Sequence, residues 1–191
     1  MPLANGGQRR GAGNMTLENG RPLDCTGRLP KEIRVYDFLD RIGVSYQRID
    51  HPPADTMEVC AEKNAVLQAT ICKNLFLSNR QGTCYYLLMM SAEKQFKTAV
   101  VSKLLGTSRL SFGTPEKMEE LLDVTPGSAS VLSVMNDTRC CVQLVIDADI
   151  LRGEYFGCHP CINTSSLKIR VKDLLEKILP LTHHAPRIIH F

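Results

Sequence analysis

The chain has 191 residues, of which 43% are hydrophobic and 23% charged, and its formal net charge is only +3. This length allows one well-buried domain with tails, whereas two full domains would be tight. No apolar run approaches the roughly 20 residues that a membrane helix needs. The sequence therefore predicts a soluble, cytoplasmic protein without a membrane partner, and a nucleic acid would have to bind through a local basic patch.

The first 29 residues are rich in glycine, asparagine and arginine, and they lack the apolar centre of a signal peptide. Folded sequence is expected to begin near Pro30. We therefore predict a flexible extension over 1–29, one domain over 30–180 and a C-terminal tail over 181–191.

Helical and strand patterns follow one another irregularly along the domain. Helices are predicted over 30–42, 56–68, 99–105, 115–122 and 172–179. Strands are predicted over 44–49, 71–77, 83–90, 109–112, 140–147 and 167–171. Gly43 ends the first helix, Thr114 and Pro115 begin the fourth, and Pro180 ends the last. The strands on either side of the turn at 79–82 are predicted to form a hairpin.

The order of these elements favours one fold class. Residues 154–164 show no periodicity and are predicted to be irregular. Because no strand–helix–strand unit repeats, we expect a single α+β (mixed α/β) domain with a mixed sheet rather than a doubly wound nucleotide fold. No glycine-rich phosphate loop is present, so neither ATP nor a dinucleotide is expected, and no cofactor is predicted.

Two polar residues interrupt the apolar run Ile71-Cys72-Lys73-Asn74-Leu75-Phe76-Leu77. Neighbouring side chains of a strand point to opposite faces, so Lys73 and Asn74 cannot enter the same core layer. One interpretation is an edge strand whose lysine prevents pairing with another chain. The other is a binding site, in which the lysine charge meets a phosphate or an oxyanion and the amide orients a neighbouring group. The pattern alone leaves both open.

The cysteines suggest no metal site. Cys158 and Cys161 are spaced like half of a zinc ribbon or like a redox dithiol, but no second pair with this spacing exists. Other cysteines lie in apolar, strand-like runs and are expected to be reduced and buried: Cys72, Cys84, Cys140 and Cys141.

Three further segments have simple structural interpretations. The loop Thr125-Pro126-Gly127-Ser128 is a turn in which Gly127 permits close backbone approach. His51 precedes two prolines in a rigid connection, and Thr56 is a helix cap. No catalytic triad, carboxylate pair or metal spacing is present, so the chemistry that remains is attack by water on an activated bond such as an ester.

The order of these segments resembles the YbaK/ProX family of aminoacyl-tRNA deacylases over about residues 30–179. The resemblance rests on His51-Pro52-Pro53 with Thr56, Lys73-Asn74-Leu75-Phe76-Leu77, Tyr86-Leu87-Leu88, Arg109-Leu110-Ser111-Phe112, Val124-Thr125-Pro126-Gly127-Ser128, Asp147, and His159-Pro160 with Asn163-Thr164. It implies a largely antiparallel sheet flanked by helices and hydrolysis of the ester that joins a wrong amino acid to tRNA. The nearest branch removes alanine mischarged on proline tRNA, so charged tRNA and prolyl-tRNA synthetase are the implied partners.

The resemblance also assigns roles to residues. Lys73 matches the family's essential lysine, expected to hold the substrate by charge, and Asn74 is its polar neighbour. The implied substrate-binding residues are Gly127 and Ser128 through their backbone amides, His159, Asn163, His51 and Thr56. Val131 replaces a proline common in the family loop, and Asp123 a frequent glycine.

Other hypotheses remain open. The ester removed could carry cysteine or serine, the chain could be a non-catalytic module that binds tRNA or a synthetase, or Cys158 and Cys161 could serve zinc or dithiol chemistry. Candidate phosphate contacts are Lys94, Lys97, Lys103, Arg109, Arg139 and Lys168.

Overall fold

The structure is a computed structural model that describes residues 15–53 and 57–190, with the backbone alone over 57–61. Its strands are β1 (Glu18–Asn19), β2 (Tyr46–Asp50), β3 (Thr70–Ser78), β4 (Tyr85–Ser91), β5 (Ser111–Phe112), β6 (Val142–Asp147), β7 (Tyr155–Cys158), β8 (Ser165–Arg170) and β9 (Arg187–Ile189). Its helices are α1 (Pro30–Arg41), α2 (Met57–Leu67), α3 (Thr98–Leu105), α4 (Pro115–Leu122), α5 (Val171–Asp173) and α6 (Leu179–Thr182). Short 3-10 helices cover Val131–Asn136 and Ile150–Arg152, and a π-helix covers Leu174–Ile178.

All strands of the described residues belong to one sheet, in the order β1-β2-β8-β7-β3-β4-β6-β9, with β5 paired to β3 beside this path. The contacts of β3 with β7, of β4 with β6 and of β6 with β9 are parallel, and the remaining five pairs are antiparallel. The predicted fold class, an α+β domain with a mixed and largely antiparallel sheet, is confirmed. Among the described residues, no helix is long and apolar enough to cross a bilayer.

The sheet has an apolar layer on each face. The larger layer contains Tyr36 and Leu39 of α1, together with Phe76 of β3 and Phe156 of β7. The smaller layer contains Leu77 of β3 and the buried side of α3. Phe76 and Leu77 are neighbours in β3 and enter different layers, as the alternation of a strand requires.

The folded unit extends past both predicted boundaries. Within the segment predicted as a flexible extension, Glu18 pairs with Arg48 of β2. Within the segment predicted as a tail, β9 lies parallel to β6 and Ile189 is buried. The boundaries at 30 and 180 were too narrow, because strands of two or three residues are too short to show periodicity.

Other differences have local causes. Residues 154–164 were predicted to be irregular, yet they contain β7, whose four residues include Gly157. The last helix continues through Pro180, which lies in the first turn of α6 after the π-helix, where its missing N–H group costs little. β6 was predicted from residue 140 but begins at Val142. The cysteines in apolar runs were expected to be buried, yet three of them are exposed: Cys84, Cys140 and Cys141.

Gly113 is the residue at which the chain leaves β5, and it lies against the core. Its N–H group donates to the carbonyl of Phe76 at 2.9 Å, and a methyl group at this position would lie 2.4 Å from two ring carbons of that buried phenylalanine. We expect Gly113→Ala to lower the free energy of unfolding by about 1–3 kcal/mol through overpacking. Denaturant unfolding measures this effect, with Ser111→Ala in the same strand as the control. An unchanged midpoint would contradict the packing.

Candidate active site

The sheet has an opening along one edge of β3. β7 pairs with this edge only at Thr70 and Ile71, and β5 pairs with it only at Leu77 and Ser78. The stretch 72–76 between them has no strand partner on that side among the described residues, whereas β4 covers its other side throughout. We call this gap the notch. Lys73 and Asn74 lie within this stretch, so both belong to the part of β3 whose edge no other described strand covers.

The two polar residues of the notch face opposite ways. Asn74 shares its face with Phe76 of the larger layer, whereas Lys73 shares its face with Leu77 of the smaller layer. The two side chains therefore lie on opposite faces of β3, beside the uncovered edge of the strand. The Asn74 Oδ1 atom is buried and has no hydrogen-bond partner among the described residues. An unpaired buried acceptor costs about 1–3 kcal/mol, so a ligand donor would relieve this cost.

The Lys73 ammonium is held by the loop that follows β4. Its Nζ atom donates to the carbonyls of Ala92, at 3.5 Å, and of Lys94. Lys94 is itself fixed, since its Nζ atom lies 2.7 Å from Asp147 and 2.6 Å from Asp149. Two of the three donors of Lys73 are therefore engaged, which leaves one for a ligand.

Two histidines lie close together beside the notch. The rings of His51 and His159 have their centroids 6.1 Å apart. The parallel pairing of β3 and β7 ends at Ile71 and Gly157, and Lys73 and His159 each follow two residues after the last pair. The predicted residues His51 and His159 are thus neighbours, while Thr56 lies outside the described residues.

Hydrogen bonds fix the tautomer of both imidazoles. His159 Nδ1 lies 2.8 Å from the Ser165 carbonyl, which can only accept, so this nitrogen carries the proton. By the same reasoning His51 Nδ1, 2.7 Å from the Pro52 carbonyl, is protonated. The Ser166 hydroxyl then donates to His51 Nε2 at 2.9 Å and faces His159 Nδ1 at 3.5 Å. This arrangement leaves His159 Nε2 as a hydrogen-bond acceptor.

Both imidazoles are neutral near pH 7. Burial lowers the pKa of His159 to about 4, and the positive charge of Lys63 acts in the same direction. Burial also lowers the pKa of His51, again with a contribution from Lys63. The buried lysine on α2 therefore adds to the preference of both rings for the neutral form.

Ser166 was not identified from the sequence, because an isolated serine in a strand carries no motif. We expect Ser166→Ala to leave His51 Nε2 as a buried acceptor without a donor and to destabilise the fold by about 1–3 kcal/mol. The ¹⁵N resonance of that nitrogen should move toward its unbonded value, while His159 Nδ1 stays protonated.

Ser165→Ala is the matched control for this change. Its hydroxyl donates to the Ile49 carbonyl at 3.2 Å, but only its backbone carbonyl contacts His159. The imidazole resonances should therefore stay in place in the control. Identical spectra for Ser166→Ala and the native chain would contradict the hydrogen-bonding scheme.

The loop predicted to present backbone amides is a type II turn. The Ser128 N–H donates to the Thr125 carbonyl at 2.9 Å, and Gly127 has φ 85°, which Pro-Gly at the centre of such a turn provides. The Ser128 amide is therefore engaged within the turn. The Gly127 N–H has no partner among the described residues. A Cβ atom at Gly127 would lie 3.8 Å from Asn163 Nδ2, so this loop contacts the segment that carries His159.

The two departures from the family loop have structural explanations. Asp123 ends α4 with φ 52°, a left-handed conformation that glycine adopts most easily and aspartate tolerates. Val131 is the first residue of a 3-10 helix capped by Ser130, a position where proline is also favoured. Both replacements leave the backbone geometry that their family counterparts favour.

Cys158 and Cys161 are both buried and carry free thiols. Burial raises the pKa of Cys161 to about 12 and holds that of Cys158 well above its ordinary value. Both are therefore neutral thiols near pH 7, which makes them poor nucleophiles. Within the described part of the chain, no group of three or more histidine, cysteine or acidic side chains is placed to hold a metal ion.

Comparison with known proteins identifies relatives of this chain. The chain is 28% identical over 141 residues to the prolyl-tRNA editing protein ProX of Acetoanaerobium sticklandii, covering 74% of this chain and 85% of that protein. It is also 28% identical over 165 residues to prolyl-tRNA synthetase associated domain-containing protein 1 of Danio rerio, covering 85% and 88%.

A solved structure of a candidate trans-editing enzyme for prolyl-tRNA synthetase shares the fold, with a TM-score of 0.62 at 19% identity over 84% of this chain and 96% of that one. The profile of the aminoacyl-tRNA editing domain matches residues 51–177, well over half of the chain. The resemblance seen in the sequence is thereby confirmed, and the chain belongs to the aminoacyl-tRNA editing domain family.

Proposed function

We propose that this chain is a trans-editing aminoacyl-tRNA deacylase, a hydrolase of the ester between a mischarged amino acid and the terminal adenosine of tRNA. Family membership and the relative named as a prolyl-tRNA editing protein support this class of activity. The observation that carries the proposal is the notch itself. A lysine with one available donor and a buried unpaired amide oxygen lie in the uncovered stretch of β3, and a neutral imidazole acceptor directly follows the neighbouring strand β7.

The reaction needs no protein nucleophile. A water oxygen attacks the carbonyl carbon, the bond from this carbon to the ribose oxygen breaks, and the ribose oxygen takes the proton that the water loses. Lys73 stabilises the negative charge that develops on the carbonyl oxygen, and Asn74 orients the aminoacyl group. His159 accepts a hydrogen bond from a ribose hydroxyl through Nε2, which positions the ester for attack. Other proposed substrate-binding residues are Gly127, Ser128, Asn163, His51 and Thr56.

Alanine on proline tRNA is the substrate we propose. A synthetase pocket shaped for proline excludes the smaller alanine weakly, because each missing methylene changes binding by about 1–3 kcal/mol. A second site too small for proline removes the error. Relatives named for prolyl-tRNA synthetase support charged proline tRNA as the substrate and this synthetase as a partner.

A deacylation panel tests the proposal. Proline tRNA charged with alanine, cysteine or serine is incubated with the full chain, and release of the labelled amino acid is followed over time. We expect alanine to be released fastest. Release of cysteine or serine in preference would change the substrate, and binding of the charged tRNA without any release would make the chain a non-catalytic module.

A further inference from the structure

A second hollow, of about 630 Å³, lies beside β5 and outside the notch. Its lining residues are Arg80, Thr98, Arg109, Leu110, Ser111 and Phe112. Phe112 is 65% exposed, a large exposed fraction for an aromatic side chain. The Phe96 ring, 5.6 Å away and tilted by 54°, packs against it. The Phe112 ring is therefore exposed to solvent in this hollow and packs against Phe96.

Two arginines whose side chains have no partner among the described residues border this hollow. The Arg80 and Arg109 side chains are exposed and have no hydrogen-bond, ion-pair or ring partner among the described residues. Nearly all other described arginines are engaged, as Arg34 is by Asp123 and Arg187 is by backbone carbonyls. No carboxylate is among the lining residues, so the surface is positively charged and has a free aromatic face. This combination suits a single-stranded nucleic acid.

The position of the hollow relates it to the notch. Phe112 pairs with Leu77 in β3, so its side chain emerges on the same face as that of Lys73. β5 and the notch also lie on the same edge of β3. Lys73 lies four residue steps before Leu77 in β3, which corresponds to a distance of about 13 Å along the strand. A few nucleotides of extended strand can cover this distance.

We propose that this hollow binds the unpaired 3′ nucleotides that precede the terminal adenosine of tRNA. A base stacks on Phe112, Arg80 and Arg109 contact the phosphates, and the strand then leads the esterified adenosine to Lys73. The inference rests on the proposed function for the identity of the nucleic acid. It adds a binding surface outside the site that holds the ester.

Binding of uncharged RNA tests the surface independently of catalysis. The probe is a fluorescent RNA hairpin with the unpaired 3′ tail of tRNA, compared with the same hairpin without the tail. We expect Phe112→Ala to weaken binding of the tailed hairpin about 10-fold, through loss of one stacked base. Replacing Arg80 and Arg109 together by alanine should also reduce the salt dependence of binding, by about 0.7 in logarithmic slope for each lost phosphate contact.

Arg139→Ala is the matched control. Arg139 is likewise exposed and without a partner among the described residues, but it lies before β6, three strand positions from β5. Its replacement should leave the preference for the tailed hairpin unchanged. Equal binding of both hairpins by the native chain, or equal losses in all variants, would overturn the proposal. So would self-association of the chain that Phe112→Ala abolishes while RNA binding is unaffected, since the face would then contact protein.

Measurements of catalysis distinguish a failure of this inference from a failure of the proposed function. Phe112→Ala should raise KM for an alanine-charged hairpin about 10-fold with kcat retained, and it should leave hydrolysis of alanyl-adenosine, which has no upstream nucleotides, unchanged. If the native chain hydrolyses neither ester, the proposed function fails. If it hydrolyses both and the variant affects both equally, the deacylase stands and the surface assigned to the 3′ nucleotides does not.

Discussion

Replacing Lys73 with alanine is expected to lower kcat/KM for release of alanine from proline tRNA at least 100-fold. Loss of a donor that meets a developing oxyanion typically costs about 10²–10³ in rate. Lys73 lies in the uncovered stretch of β3, and the Ala92 and Lys94 carbonyls fix the position of its ammonium. Single-turnover release of labelled alanine measures the effect.

The control for this variant is Lys172→Ala. Lys172 is an exposed lysine on α5, so its replacement removes the same charge away from the notch. Thermal unfolding of both variants checks that the fold is intact. Full activity of a folded Lys73→Ala chain would remove Lys73 from the site, whereas equal losses in both variants would indicate a long-range charge effect.

The second large effect is a loss of stability in mild acid. The pKa of His159 is about 4 in the folded chain and about 6.5 when unfolded, so the unfolded chain binds more protons between these values. The free energy of unfolding is therefore unaffected by this group above pH 6.5, and it falls as pH decreases toward 4. The full difference amounts to about 3 kcal/mol, and His51 acts in the same direction.

Asp50 loses its contribution to stability in a lower pH range than the two histidines do. Burial alone would raise the pKa of Asp50, but hydrogen bonds from Arg28 and Arg48 hold it at about 2. Its contribution is therefore lost only below the ordinary carboxylate range, as pH falls from about 4 toward 2.

Urea unfolding at pH 7, 6, 5 and 4.5 measures the histidine effect. His159→Gln should reduce the fall in stability across this range, while His190→Gln, at an exposed position, should leave it unchanged. A fall of the same size in His159→Gln would show that other groups dominate acid unfolding.

The sequence predicted the long elements well because their periodicity is a local property. The hairpin of β3 and β4 follows from two apolar runs around a turn, and Thr114 caps α4 as expected. Thr98 was expected to cap α3, yet it is the first helical residue and Lys97 holds the cap position. Strands β7 and β9 were missed because they are short and gain their stability from neighbours distant in sequence.

The sequence indicated which residues belong to the candidate site, but it did not indicate how the sheet arranges them. Motif order pointed to Lys73, Asn74 and His159, yet the gap between β5 and β7 that makes them accessible is a property of the sheet. Ser166 joins the two imidazoles only because β8 places it between them. The contact of Ser166 with His51 joins residues 115 positions apart, which no local pattern encodes.

The most direct measurement compares two esters of one tRNA. Proline tRNA charged with alanine and the same tRNA charged with proline are each incubated with the native chain at pH 7, and the released amino acid is quantified. We predict rapid release of alanine and release of proline no faster than in buffer. Release of proline at the rate of alanine, or release of neither, would contradict the assignment of this chain as a deacylase that removes alanine from proline tRNA.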